Sequence, residues 1–254
     1  MKVLVACEES QVVCTAFRNR GHEAYSCDIL PTRGDHPEWH IQEDVLSLLA
    51  MSNPVRSTPV SSNPVSTPEV PSKYPRSWDL MIAHPPCTYL ANSGVRHLYM
   101  FGAITKDGII VKKPYQPRWE LMKQAARFFT KILSSDIKKI CVENPIPHKY
   151  ALEEIDEYLW GVYQSHYDKG DSVNYYPRSP KYDQIIQPWQ FGHGETKATC
   201  LWLKGLPKLI PTNIVEGREQ RVHRMAPGPN RSRDLARTYT GIAQAMAAQW
   251  GGLV

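Results

Sequence analysis

An α/β fold with a mostly parallel central sheet and helices on both faces is what this sequence predicts. Three observations carry that expectation. Short apolar runs of strand length alternate with segments whose apolar residues recur at helical spacing. The runs are stopped by residues that end strands, such as His84-Pro85-Pro86. Finally, Glu8, Asp28, Asp44, Cys87 and Glu143 all fall where chain segments should leave the sheet, the edge at which such folds collect ligands.

In chain order, Lys2 to Cys7 is a β-branched, apolar run. Glu8-Glu9-Ser10 then can cap a helix carrying Val12, Val13, Ala16 and Phe17 on one face up to Gly21. Ala24 to Ile29 is a second run with Asp28 near its end, and Val45, Leu46, Leu48 and Leu49 form a patch just after Asp44. Residues 52–77 are rich in Pro, Ser and Thr, with SNPVRSTPVS nearly repeated as SNPVSTPEVP; this composition buries no core and reads as a flexible insertion. Asp79 to Ala83 is a buried strand that delivers Cys87 at its carboxyl end. Arg118 to Ser134 repeats Leu121, Ala125, Phe128, Phe129, Ile132 and Leu133 as a helical face. Lys139 to Val142 is a further strand, ended by Glu143-Asn144-Pro145. Tyr150 to Thr212 has weak periodicity and suits irregular structure or a few short strands such as Cys200 to Leu203. Gly241 to Trp250 reads as a helix with Ile242, Ala245, Met246 and Trp250 on one side.

The chain's 254 residues suit one main domain with a small appendage. No apolar stretch approaches the roughly 18 residues of a membrane span, so neither a membrane anchor nor a targeting segment is expected. Six scattered cysteines without a C-x-x-C pair argue against a zinc ribbon or a disulfide framework and for a reducing cytosol. His36-Pro37-Glu38-Trp39-His40 has the wrong order for a zinc helix and reads as a surface turn, so no metal is expected. A monomer is the default. The net charge of +5 is modest, but Arg218, Arg221, Arg224, Arg231, Arg233 and Arg237 lie close together. Such a run either tracks nucleic-acid phosphates or forms a solvated basic loop.

Cys87 and Glu143 carry the chemistry. A thiolate is a strong nucleophile when it is accessible and stabilised by nearby positive charge, for which Arg96 and His97 are downstream candidates. A carboxyl group at the end of a neighbouring strand could act as acid beside the same pocket. Each residue also has a purely structural reading, Cys87 as a core thiol and Glu143-Asn144-Pro145 as a turn.

On these motifs the sequence resembles the DNA cytosine-C5 methyltransferases, in particular the small methyltransferase-like proteins often encoded by bacteriophages. Pro86-Cys87 in AHPPCTYLANSG resembles the family's nucleophile motif, with Ser93 echoing a downstream serine. Glu143-Asn144-Pro145 in ICVENP is similar to its Glu-Asn-Val motif, and Asp28 and Asp44 match its cofactor-holding acids in position. Cys7 to Gln11 corresponds to its first loop but lacks the glycines, Thr88 stands where Gln is usual, and no Gln-x-Arg-x-Arg strand is evident.

The resemblance implies a Rossmann-like fold binding S-adenosyl-L-methionine, with double-stranded DNA as partner, in a bacterial or phage-infected cytosol. It implies residues 1–149 as the cofactor-binding and catalytic core, 150–236 as a small target-recognition region and 237–254 as a closing helix. Cys87 and Glu143 would be catalytic, acting on a flipped-out cytosine in a short target site. Glu8, Asp28, Asp44 and Pro86 would meet the cofactor; Asn144, Ser93, Lys197, Arg231 and Arg233 would meet the DNA. Two rivals remain. His84-Pro85-Pro86-Cys87 resembles the motif of DNA amino-methyltransferases acting on adenine N6 or cytosine N4, although His84 and Cys87 fit its polar and aromatic ends poorly. A catalytically silent DNA-binding relative is the other, distinguished by cofactor binding without methyl transfer.

Overall fold

A computed structural model describes residues 1–52, 74–104, 110–167 and 181–253. The first strand, β1 (Lys2–Ala6), leads into α1 (Val12–Arg18), β2 (Glu23–Asp28), β3 (His40–Gln42) and α2 (Val45–Ser52). Most of the Pro/Ser/Thr-rich insertion lies outside the described residues, but its last part is seated: the Tyr74 hydroxyl donates to the His40 carbonyl at 3.3 Å, and its ring meets Tyr25 edge-on. The chain continues through β4 (Leu80–Ala83), a hairpin of β5 (Tyr99–Ile104) and β6 (Ile110–Pro114), α3 (Gln116–Leu133), β7 (Lys139–Pro145) and α4 (Lys149–Tyr167). Then come β8 (Gln184–Ile186), β9 (Thr199–Lys204), two short helices α5 (Arg221–Arg224) and α6 (Arg231–Ala236), and α7 (Thr240–Trp250).

Seven strands form one sheet in the order β3-β2-β1-β4-β7-β9-β8. Only β9 runs against the others, pairing antiparallel with both β7 and β8. The expected α/β architecture, a mostly parallel sheet of the Rossmann-like kind, is therefore the one observed. Strand alternation sends Leu4, Ala6, Met81, Ala83, Ile140 and Val142 to one face, where Phe129 and Ile132 of α3 and Ile155 of α4 cover them. Val3, Val5, Leu80, Ile82 and Cys141 point to the other face, beneath Phe17 of α1 and Met246 and Trp250 of α7. Burial on both sides explains why these strands read as unbroken apolar runs.

Three elements depart from expectation. Residues 149–167, expected to be irregular, form α4, which buries Ala151, Ile155 and Leu159 at four-residue spacing. In α3 the buried stripe is Met122, Ala126, Phe129, Ile132 and Leu133, while Leu121 turns outward. And β7 does not stop at Val142: Glu143, Asn144 and Pro145 stay in the ladder because antiparallel β9 offers Leu201, Cys200 and Thr199 as partners.

Candidate active site

The ends of β1, β4 and β7 lie side by side, and their registers set Ala6 level with Ala83 and Ala83 level with Val142. Just past these positions lie Glu8, two residues beyond Ala6, and His84 and Glu143, each one residue on, with His84 acting on both carboxylates. Glu8 is buried at 3 % exposure and its carboxylate accepts the N–H groups of Val13 (2.7 Å) and Cys14 (3.1 Å), so it caps the first turn of α1. This is a structural assignment for a residue expected at the cofactor. Burial pushes its carboxyl up, against the opposing pull of His84 and those N–H groups.

His84 Nδ1 lies 3.8 Å from Glu143 Oε1, an ion-pair distance longer than a hydrogen bond. Burial favours the neutral form of Glu143, but His84 and then Lys197 outweigh it and hold the carboxyl below its ordinary value. A small cavity of about 10 Å³, room for one water, is lined by His84, Glu143, Lys197, Thr199 and Tyr239. It adjoins a wider cleft of about 410 Å³ that shares Tyr239 and is bordered by His193, Glu195, Arg221 and Arg237.

Cys87 sits past β4 on a turn closed by Leu90 and Ala91, whose N–H groups donate to its carbonyl. It is partly exposed, with Pro85 buried before it and Pro86 exposed. Burial and then Glu143 push its thiol up, while Lys197 opposes them. Lys197 is thus the cation facing Cys87. Arg96, anticipated for that role, instead donates to His97 on the exposed end of a 3₁₀ turn over Asn92–Leu98, which also carries exposed Ser93.

Asn144 is 1 % exposed and its amide donates to the Pro145 carbonyl. Alternation along β7 puts it on the face opposite Glu143, away from the pocket where substrate contact was expected.

A second cluster forms beyond β1 and β2. Cys7 and Gln11 adopt left-handed backbone, both at φ 58°, so the first loop takes a glycine-like path without glycines. Asp28 and Asp44 converge electrostatically on Cys7, where burial and then these carboxylates push the thiol up. Asp28 accepts the Leu30 N–H at 2.9 Å and Asp44 the Leu46 N–H at 2.8 Å. Ile29, next to Asp28, is 71 % exposed.

The basic run is largely committed to the protein itself. Arg231 donates to the carbonyls of Met225 (3.0 Å) and Val222 (3.4 Å), tying α6 to α5. Arg233 pairs with Glu9 at 3.3 Å, and Glu9 also holds Arg33 at 2.7 Å. Lys197 anchors the end of α6 through the Leu235 carbonyl at 2.7 Å. Arg231 and Arg233, expected to meet DNA, are bonded to local carbonyls and to a carboxylate. Glu195 and Tyr239 were missed altogether, and His84 was read only as a strand stop and as a poor match to the amino-methyltransferase motif. For His84 the signal was present, a titratable residue at a strand end directly before two prolines.

No protein-family model matches the chain, and a search of curated proteins gave no match. Among solved structures it is similar to an E. coli protein described provisionally as a DNA modification methyltransferase encoded within a prophage, at 12 % identity and a TM-score of 0.38, over 85 % of this chain. The chain spans about half, 52 %, of the length of that protein.

Proposed function

We propose that the protein is a DNA cytosine-C5 methyltransferase using S-adenosyl-L-methionine. The observation that carries the reading is the pairing of β4 with β7, which brings a partly exposed cysteine and a carboxyl group to the same end of the sheet. Lys197, facing both, opposes the rise that burial and Glu143 impose on the Cys87 thiol.

The Asp28–Asp44 cluster fits a nucleoside cofactor. Two carboxylates can accept from ribose hydroxyls, and the exposed Ile29 offers an apolar surface to an adenine ring. When bound there, the cofactor supplies an electrophilic methyl group. Cys87 adds to C6 of a cytosine rotated out of the duplex, which makes C5 electron-rich. Glu143 supports the charge that develops at N3. Departure of Cys87, after C5 has lost its proton, restores the aromatic ring. Arg224 and Arg237, exposed on the basic segment, are candidates for phosphate contacts.

The test is a denaturing gel of protein, S-adenosylmethionine and a duplex containing 5-fluorocytosine. Fluorine cannot leave as a proton, so the reading expects a slow-migrating covalent band that Cys87→Ala abolishes. Methyl transfer to DNA without any such band would favour transfer to an exocyclic amine, and neither would leave a silent DNA-binding protein.

A further inference from the structure

We propose that His84 is a positioning residue that relays a proton to Glu143 when Glu143 serves the target base. The inference rests on the cytosine-C5 reading above. His84 is held by its own backbone: its N–H donates to the Ala6 carbonyl at 2.9 Å, and the buried Pro85 follows it. Its side chain is 9 % exposed, yet neither ring nitrogen has a hydrogen-bond partner among the described residues. A buried imidazole left unpaired is costly, which makes an orphaned one a pointer to function.

What surrounds it gives the orphan a purpose. Glu143 stands 3.8 Å from Nδ1. Glu8, on the β1 side, also feels the His84 charge, but its oxygens are taken by the α1 N–H groups. Lys197 faces Glu143 from the segment before β9, Cys87 from the turn after β4, Cys141 from within β7 and Cys200 from β9. Tyr239, before α7, shares the lining of the small cavity. Of the two neighbouring carboxylates, Glu143 is therefore the one able to exchange a proton with His84, directly or through one water in that cavity.

The step balances without any co-reactant. Cys87 enters as thiolate, its proton lost to solvent, and its sulfur bonds to C6. The C5–C6 electron pair moves to C4–C5, and the C4–N3 pair settles on N3. Glu143, a carboxylate in the resting site, takes the proton of His84 Nδ1 and passes it to N3, leaving His84 neutral. When the sulfur–C6 bond breaks, the protons return along the same path.

The experiment is the single-turnover rate of covalent adduct formation on 5-fluorocytosine duplex, with S-adenosylmethionine, from about pH 5.5 to about pH 9. Wild type, His84→Asn and His84→Gln are compared, with thermal unfolding recorded on the same samples. Both variants are expected to slow the reaction at least about tenfold near neutral pH, with the gap closing toward the acid end, where Glu143 draws its proton from solvent. Variant profiles that run parallel to wild type at every pH, as lost packing would give, or that coincide with it, overturn the role of His84 while leaving the cytosine-C5 reading intact. A wild type that forms no adduct at any pH overturns that reading and this inference with it.

Discussion

The hydroxyl of Tyr239 donates to the carboxylate of Glu195 at 2.6 Å, and Arg221 donates to the same oxygen at 2.8 Å. This joins the segment before α7 to α5 and to the loop before β9. Burial pulls the Glu195 carboxyl up, but Tyr239 and Arg221 prevail and hold it below its ordinary value of 4.5. A carboxylate depressed in the folded state contributes stability above its unfolded pKa and loses it as pH falls through the folded one. Denaturant unfolding of wild type and Glu195→Gln should therefore differ at pH 7 and converge below the ordinary carboxylate range. A gap that persisted unchanged into acid would assign the effect to packing alone.

Gly34 is constrained by Gln11. A Cβ at position 34 would lie 2.2 Å from Gln11 Oε1, and that amide is already bonded to both the N–H and the carbonyl of His36. Gly34→Ala should displace the Gln11 side chain and cost about 1–3 kcal/mol, the order expected when buried polar groups lose their partners. Thermal unfolding of Gly34→Ala beside Gly252→Ala, where an added Cβ meets nothing within 4 Å, provides the control.

The left-handed Cys7 makes a sharper test of the first loop. Cys7→Gly suits φ 58° and should alter stability by no more than about 1 kcal/mol, whereas Cys7→Val, β-branched in that region, should cost about 2 kcal/mol or more. Equal effects of the two changes in a chemical denaturation series would mean that the loop relaxes to another backbone path.

Arginines in the basic run should separate by role. Arg231→Ala removes the bonds to Met225 and Val222 and should lower the melting temperature, with little change in the salt dependence of the proposed DNA binding. Arg224→Ala and Arg237→Ala should leave melting unchanged and each reduce the log–log salt slope by about one. Titrations of a labelled duplex at several salt concentrations measure both arms.

Local patterns in the sequence were enough to find the elements whose partners are nearby or uniform. The α7 stripe of Ile242, Ala245, Met246 and Trp250 is buried as its spacing requires, and β1 and β4 are apolar because both their faces are covered. The extension of β7 was hidden, because Pro145 looks like a stop until β9, far along the chain, supplies the partner strand. Helix α4 was obscured by the tyrosines and the exposed Trp160 that dilute the Ala151, Ile155 and Leu159 stripe. In the candidate site, Cys87 and Glu143 were visible as strand-end residues. The grouping of Glu8, His84 and Glu143 was not, because it exists only through the order in which three strands are laid side by side.

Glu9 grips Arg33 from the loop after β2 and Arg233 from α6, and Arg33 reaches Asp234 as well at 3.1 Å. If the proposed cofactor and DNA contacts are made, this clasp ties the first loop to the arginine segment and couples the two. Any ligand that binds more tightly when the first loop is ordered must also favour the ordered arginine segment, and a polyanion gripping that segment must return the same factor to the ligand. Glu9→Gln together with Asp234→Asn would remove both halves of the clasp and should weaken that coupling.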